Sequence, residues 1–145
     1  MKRSKRLLPV KQLKKQEEQK EAKKLADAQN ELRQAEQQLD ELHQYRQDYY
    51  QSLHQPSGSL TASNLAKYQV FLTRLNRAIE NQSQMLNLKK KAVDAQTKVW
   101  AAAHARHKAM EELIERFSNE EQIEKDKQEQ KLMDEFALRN IKRES

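Results

Sequence analysis

Glycine occurs once in this 145-residue chain, proline twice and cysteine not at all. The missing cysteine excludes a disulfide framework, a cysteine nucleophile and a thiolate metal site. One glycine cannot build a phosphate-cradling loop, and no Walker-type glycine–lysine run exists. No apolar run approaches the roughly 18 residues of a membrane-spanning helix. The start MKRSKR has the charge of a signal peptide, but the apolar stretch behind it is only LLPV, too short for a signal core. A cytosolic protein is the expectation. Hydrophobic residues make up 36% and charged residues 34%, and mean hydropathy is −1.16, which leaves too little apolar side chain for a compact globular core.

What is present is a surplus of glutamine, lysine, glutamate, alanine and leucine, all good helix formers. That mixture is typical of long helices and coiled coils, with disorder as the competing reading that ordered periodicity would exclude. The net charge of +6 is unevenly spread: residues 1–24 carry +7, residues 25–88 carry −2 and residues 89–145 carry +1. The basic N-terminal arm could meet nucleic acid, an anionic membrane or an acidic protein. It holds no aromatic residue for base stacking, which argues against nucleic acid.

Two seven-residue repeats decide the fold class. With Leu25 as position a, alternating a and d positions read Leu25, Ala28, Leu32, Ala35, Leu39, Leu42, Arg46, Tyr49 and Leu53. With Leu65 as a, a second series runs Leu65, Tyr68, Leu72, Leu75, Ile79, Gln82, Leu86, Lys89, Val93, Gln96, Trp100, Ala103, His107, Met110, Ile114 and Phe117. Sustained heptads of this kind specify coiled coil rather than disorder.

Between the repeats lies HQPSGSL, with Pro56 and Gly58 as breakers and Ser59, Thr61 and Ser63 as candidate N-caps. The expected architecture is all-α: two long helices forming an antiparallel coiled-coil hairpin in one domain. Helix 1 spans about 5–54, the turn about 55–60 and helix 2 about 61–140. Folding about residue 57 pairs positions whose numbers sum to about 114. Tyr49 then meets Leu65, Leu42 meets Leu72, Ala35 meets Ile79 and Ala28 meets Leu86. Helix 1 would run out near Lys5, opposite Ala109, so helix 2 would overhang by roughly 35 residues, about 50 Å. The overhang ends in KLMDEFALRNI, whose Leu132, Met133, Phe136, Leu138 and Ile141 would dock on something or fray.

The flanks of the seam differ. The g positions Gln38, Tyr45, Phe71, Ala78, Met85, Ala92 and Val99 make one edge largely apolar. The e positions Gln69, Asn76, Ser83, Lys90 and Thr97 make the other polar. Near the turn, Leu42, Tyr45, Tyr49, Phe71, Leu75 and Ala78 are expected to form one aromatic–aliphatic surface suited to binding, although such rings could equally widen the seam and shield it. The histidines are His43, His54, His104 and His107. His104 and His107 share a helix face, but no carboxylate-rich partner motif accompanies them, so no metal site is expected. A two-helix molecule offers no cleft to perturb acid–base carboxylates, so no enzyme, catalytic residue or cofactor is expected.

The segments RQAEQQLDELHQYRQDYYQSL, TASNLAKYQVFLTRLNRAIENQ, KVWAAAHARH and the terminal KLMDEFALR, over roughly residues 33–140, resemble the FliJ family of flagellar export coiled-coil proteins. The resemblance implies an antiparallel coiled coil similar to the central stalk of rotary ATPases. It implies association with the hexameric flagellar export ATPase, binding to the cytoplasmic part of the membrane export gate, and escort of export chaperones. It further implies a cytoplasmic protein peripherally associated with the inner-membrane export apparatus. Matched onto this chain, the gate-binding surface falls on Gln38, Leu42, Tyr45, Tyr49, Phe71, Leu75 and Ala78, with Gln82 at its border. The ring-binding part falls on the N-terminus and the Leu132–Ile141 segment. A virulence-type secretion stalk, a structural tether and a nucleic-acid-binding coiled coil are the alternatives.

Overall fold

A computed structural model of the protein describes residues 2–54 and 61–144. Two helices account for nearly all of them, α1 at Arg3–Leu53 and α2 at Ala62–Glu144. Pro56, Gly58 and Ser59, expected to make the turn, lie outside the described residues. Of the candidate caps, Thr61 serves α2: its Oγ1 accepts the Asn64 N–H at 3.2 Å and its carbonyl accepts that of Leu65 at 2.9 Å. At the end of α1 the His54 Nδ1 lies 2.8 Å from the Tyr50 carbonyl, one of the acceptors a helix C-terminus leaves over.

The molecule divides into two compact units, Glu21–Trp100 and Met1–Lys20 with Ala101–Ser145. Within Glu21–Trp100 the helices run antiparallel, and the positions withdrawn from solvent follow the a/d frame. On α1 these are Leu25, Ala28, Leu32, Ala35, Leu39, Leu42, Arg46, Tyr49 and Leu53; on α2 the frame holds from Tyr68 to Trp100. Ala35, Leu75 and Ile79 are the buried residues of this unit. Polar d positions bond across the seam. Gln82 Nε2 donates to the Ala35 carbonyl and to Gln38 Oε1, both at 3.1 Å. Gln96 Nε2 donates to the Glu21 carbonyl at 3.1 Å and to its Oε2 at 2.7 Å. Lys89 reaches Glu31 at 3.0 Å.

The register differs from the sequence expectation. Tyr49 packs on Tyr68 and Phe71 rather than on Leu65, and Leu65 is exposed. Cross-seam partners have numbers summing to 117 for Tyr49–Tyr68, 120 for Gln38–Gln82 and 122 for Arg46–Asn76, not 114. The cause is the lean of side chains toward each helix's own N-terminus. In an antiparallel pair this tilts α1 side chains away from the turn and α2 side chains toward it. Contacts therefore join a given α1 residue to one farther along α2 than backbone symmetry suggests.

In the second unit the same frame continues, through Ser4, Leu7, Lys11, Lys14 and Glu18 on α1 and through Ala103, His107, Met110, Ile114, Phe117 and Glu121 on α2. Ala103 is its most buried side chain, at 1% exposure. Ser4 donates both its N–H, to Glu121 Oε1 at 3.1 Å, and its hydroxyl, to Oε2 at 2.6 Å. The Arg3 guanidinium lies 5.6 Å from the Phe117 ring centre. Helix α1 thus ends opposite Glu121 rather than Ala109. From Gln122 through Glu144 α2 is exposed, about 35 Å of helix beyond Glu121 rather than 50, with Glu124, Lys125 and Gln128 bordering a groove beside Lys2 and Arg3. The register offset accounts for the difference: folding about residue 57 sets position 5 opposite 109, whereas the numbers of the bonded pair Ser4 and Glu121 sum to 125.

Candidate partner-binding surface

The eight residues expected to bind a partner all fall within Glu21–Trp100, and ring contacts, a hydrogen bond and a shared groove join Gln38, Leu42, Tyr45, Tyr49, Phe71 and Gln82. Tyr49 lies tilted against Phe71 with ring centres 4.4 Å apart and meets Tyr68 edge-on at 5.1 Å. Tyr45 approaches Phe71 edge-on at 5.8 Å. Offset and edge-on arrangements suit rings with negative faces and positive rims. Burial against these rings, followed by the neighbouring Tyr68 and Tyr45 phenols, holds the Tyr49 hydroxyl above the ordinary phenol range. Tyr68 was not among the expected surface residues, and its d position was the signal that could have found it.

The group is graded in depth. Leu75, at 6% exposure, is the floor; Leu42, Tyr49, Phe71 and Ala78 are half-buried; Tyr45, at 57%, stands in solvent. On the α1 side Gln38, Glu41, Leu42, Tyr45 and Gln82 line a shallow groove of about 410 Å³. The Gln82–Gln38 bond orients the two amides along its wall. On the α2 side a second groove, of about 420 Å³, is lined by Ala66, Lys67, Val70, Phe71 and Arg74. The Tyr45–Phe71 ring pair borders both. The edge thus combines large apolar area at the ridge with hydrogen-bonding groups beside it.

The other expected contact residues lie in the second unit. Leu132, Met133, Phe136, Leu138 and Ile141 are each 60–68% exposed. The helix presents them to solvent as exposed apolar side chains.

The histidines find a carboxylate that sequence spacing did not reveal. Glu18 receives Nδ1 of His104 on Oε1 and Nδ1 of His107 on Oε2, each at 2.6 Å. The His104 bond is the main reason the Glu18 carboxyl sits below the usual carboxylate range; burial opposes it and the His107 bond adds to it. Among the described residues no group of three or more His, Asp or Glu side chains is placed to hold a metal ion. None of the described helices is long and apolar enough to cross a membrane.

Comparison with known proteins gives one consistent family. The family model described as Flagellar FliJ protein matches residues 3–145. The chain is 32% identical over 134 residues to the Flagellar FliJ protein of Escherichia coli (strain K12), spanning 92% of this chain and 91% of that one. It is 33% identical over 119 residues to the Flagellar FliJ protein of Salmonella typhi, with 81% of each covered.

Proposed function

This chain belongs to the flagellar FliJ family, and on that footing we propose that it links two parts of the flagellar protein export apparatus without doing chemistry itself. The ridge of Tyr45, Tyr49 and Phe71, on its Leu75 floor, docks on the cytoplasmic domain of the membrane export gate. The Leu132–Ile141 flank engages the hexameric export ATPase and favours its assembled, active state. Escort of export chaperones belongs to the same role and draws on the remaining exposed helix surface.

The observation that carries this reading is Tyr45, more than half exposed yet held by Phe71 at 5.8 Å. A ring fixed in solvent has already lost the rotamer freedom that binding would otherwise remove. For the C-terminal flank the support is five large apolar side chains with no partner within the molecule's seam.

Two variants test the division of labour against the purified gate domain and the purified ATPase. Replacing Tyr45, Tyr49 and Phe71 together by alanine abolishes gate binding and leaves ATPase stimulation and helicity intact. Removing residues 122–145 does the reverse. Equal losses for both partners from both variants would refute the assignment.

A further inference from the structure

From Ala62 to Ile79 helix α2 carries three bases, Lys67, Arg74 and Arg77, and no acid. Spacings of three and seven residues put Lys67, Val70, Arg74 and Arg77 on one helix face. That face adjoins Phe71, and the groove of about 420 Å³ bounded by Ala66, Lys67, Val70, Phe71 and Arg74 runs along it. Val70 is 54% exposed at its centre. The acids of α1 near the ridge lie elsewhere and are engaged: Glu41 and Asp48 accept from Gln37 at 3.3 Å and Gln44 at 2.9 Å. Glu41 lines the groove on the opposite side of the rings.

We propose that this basic-walled groove is a second half of the docking surface, and that it takes an acidic segment of the protein that docks on the Tyr45–Phe71 ridge. Resting on the gate-docking reading above, it adds a site, Lys67, Val70 and Arg74, and a ligand chemistry. Carboxylates of the segment pair with the Lys67 ammonium and the Arg74 guanidinium, which can grip a carboxylate with two parallel N–H bonds. An apolar side chain between those carboxylates covers Val70 and the outer face of Phe71. Bases on one side of the ridge and Glu41 on the other give the surface a polarity. A partner docked in reverse would set its carboxylates against Glu41, so the charges fix direction and speed encounter more than they raise affinity.

The test is binding of the full-length protein to the purified cytoplasmic gate domain, at low and at high salt. Lys67→Glu with Arg74→Glu is expected to weaken binding about tenfold at low salt and to flatten the salt dependence. Lys90→Glu with Lys91→Glu, an equal charge change elsewhere on α2, is expected to leave affinity within about twofold. Equal weakening by the two pairs would reduce the effect to net charge and overturn the proposal. So would gate affinity unchanged by the Lys67/Arg74 pair alongside loss of binding to phosphatidylglycerol vesicles, since the groove would then read lipid headgroups. If the triple ring variant loses the gate domain while Lys67→Glu/Arg74→Glu keeps it, this proposal falls and the docking reading stands. Full affinity in both sinks both.

Discussion

The Glu18 carboxylate meets Nδ1 of His107 at 2.6 Å across the seam and Nδ1 of His104 at the same distance with its other oxygen. A single acid on α1 thereby fastens two successive turns of α2. These contacts, the one with His104 foremost, favour the ionised form of Glu18. His107 also presents Nε2 to Glu111 Oε1 at 3.2 Å.

Stability should depend on pH through this contact. A carboxyl held below its ordinary value of 4.5 contributes stability that is fully present above that value and is lost as pH falls through the lowered one. Glu18→Gln is expected to lower the thermal midpoint at neutral pH, and the gap to the unaltered protein should close as the solution is taken well below pH 4.5. Circular dichroism melts across that range decide it. A gap that persists in acid would mean that Glu18 acts through packing alone.

Two glutamines hold the register in the other unit. Gln82 and Gln96 each donate to a backbone carbonyl and to a side chain of α1, all within 3.1 Å. An apolar residue in each place would pack without needing those bonds, so Gln82→Leu with Gln96→Leu should leave stability unchanged or raise it. The cost is specificity, because a seam of aliphatic residues tolerates slippage by a heptad. Spin labels at Leu42 and Ile79 should then give a broader distance distribution than in the unaltered protein. A distribution as narrow as before would show that the rings near the turn suffice to set the register.

Much of this fold was legible because position a of α2 is apolar for heptad after heptad from Leu65 to Trp100, and the same spacing appears before the turn. The ring cluster was legible for the same reason: Tyr45 and Phe71 are g residues, and position alone puts them on one edge. Two things were not. The pairing offset depends on which way side chains lean, and a count along the backbone carries no such information. The partners of Ser4 and Glu18 were hidden, because polar residues at position a look like surface residues until Glu121, His104 and His107 are seen opposite. A polar position a signals a seam only when its partner is known.

Depth along the helices should be measurable by truncation. Leu75, at 6% exposure, loses its methyl groups into a closed seam, so Leu75→Ala is expected to cost about 2–3 kcal/mol in denaturant unfolding. Leu132, at 65%, leaves no cavity behind, and Leu132→Ala should change stability by less than about 0.5 kcal/mol. A large stability loss from Leu132→Ala would show that the terminal flank folds against something within the protein or a second copy of it.

The start of α1 makes a sharper case, because the helix there works against its own sequence. Pro9 lies inside α1 and supplies no N–H to the Lys5 carbonyl, which removes a helical bond ahead of it. The turn before Pro9 is held from outside instead. Glu121 takes both the N–H and the hydroxyl of Ser4, the task of a cap performed by the neighbouring helix, and a negative group there also suits the helix dipole. Those bonds to Ser4 are the main reason the Glu121 carboxyl lies below its usual range. Replacing Ser4 and Arg3 by alanine removes the hydroxyl bond and the guanidinium over Phe117 while improving intrinsic helix propensity, so the two effects oppose each other. If the tertiary contacts dominate, amide hydrogens of Lys5 to Leu8 should exchange about fivefold faster. Those between Leu25 and Leu42 should stay as they were. Slower exchange in the first segment would mean that propensity wins and that the contacts with α2 follow the helix rather than hold it.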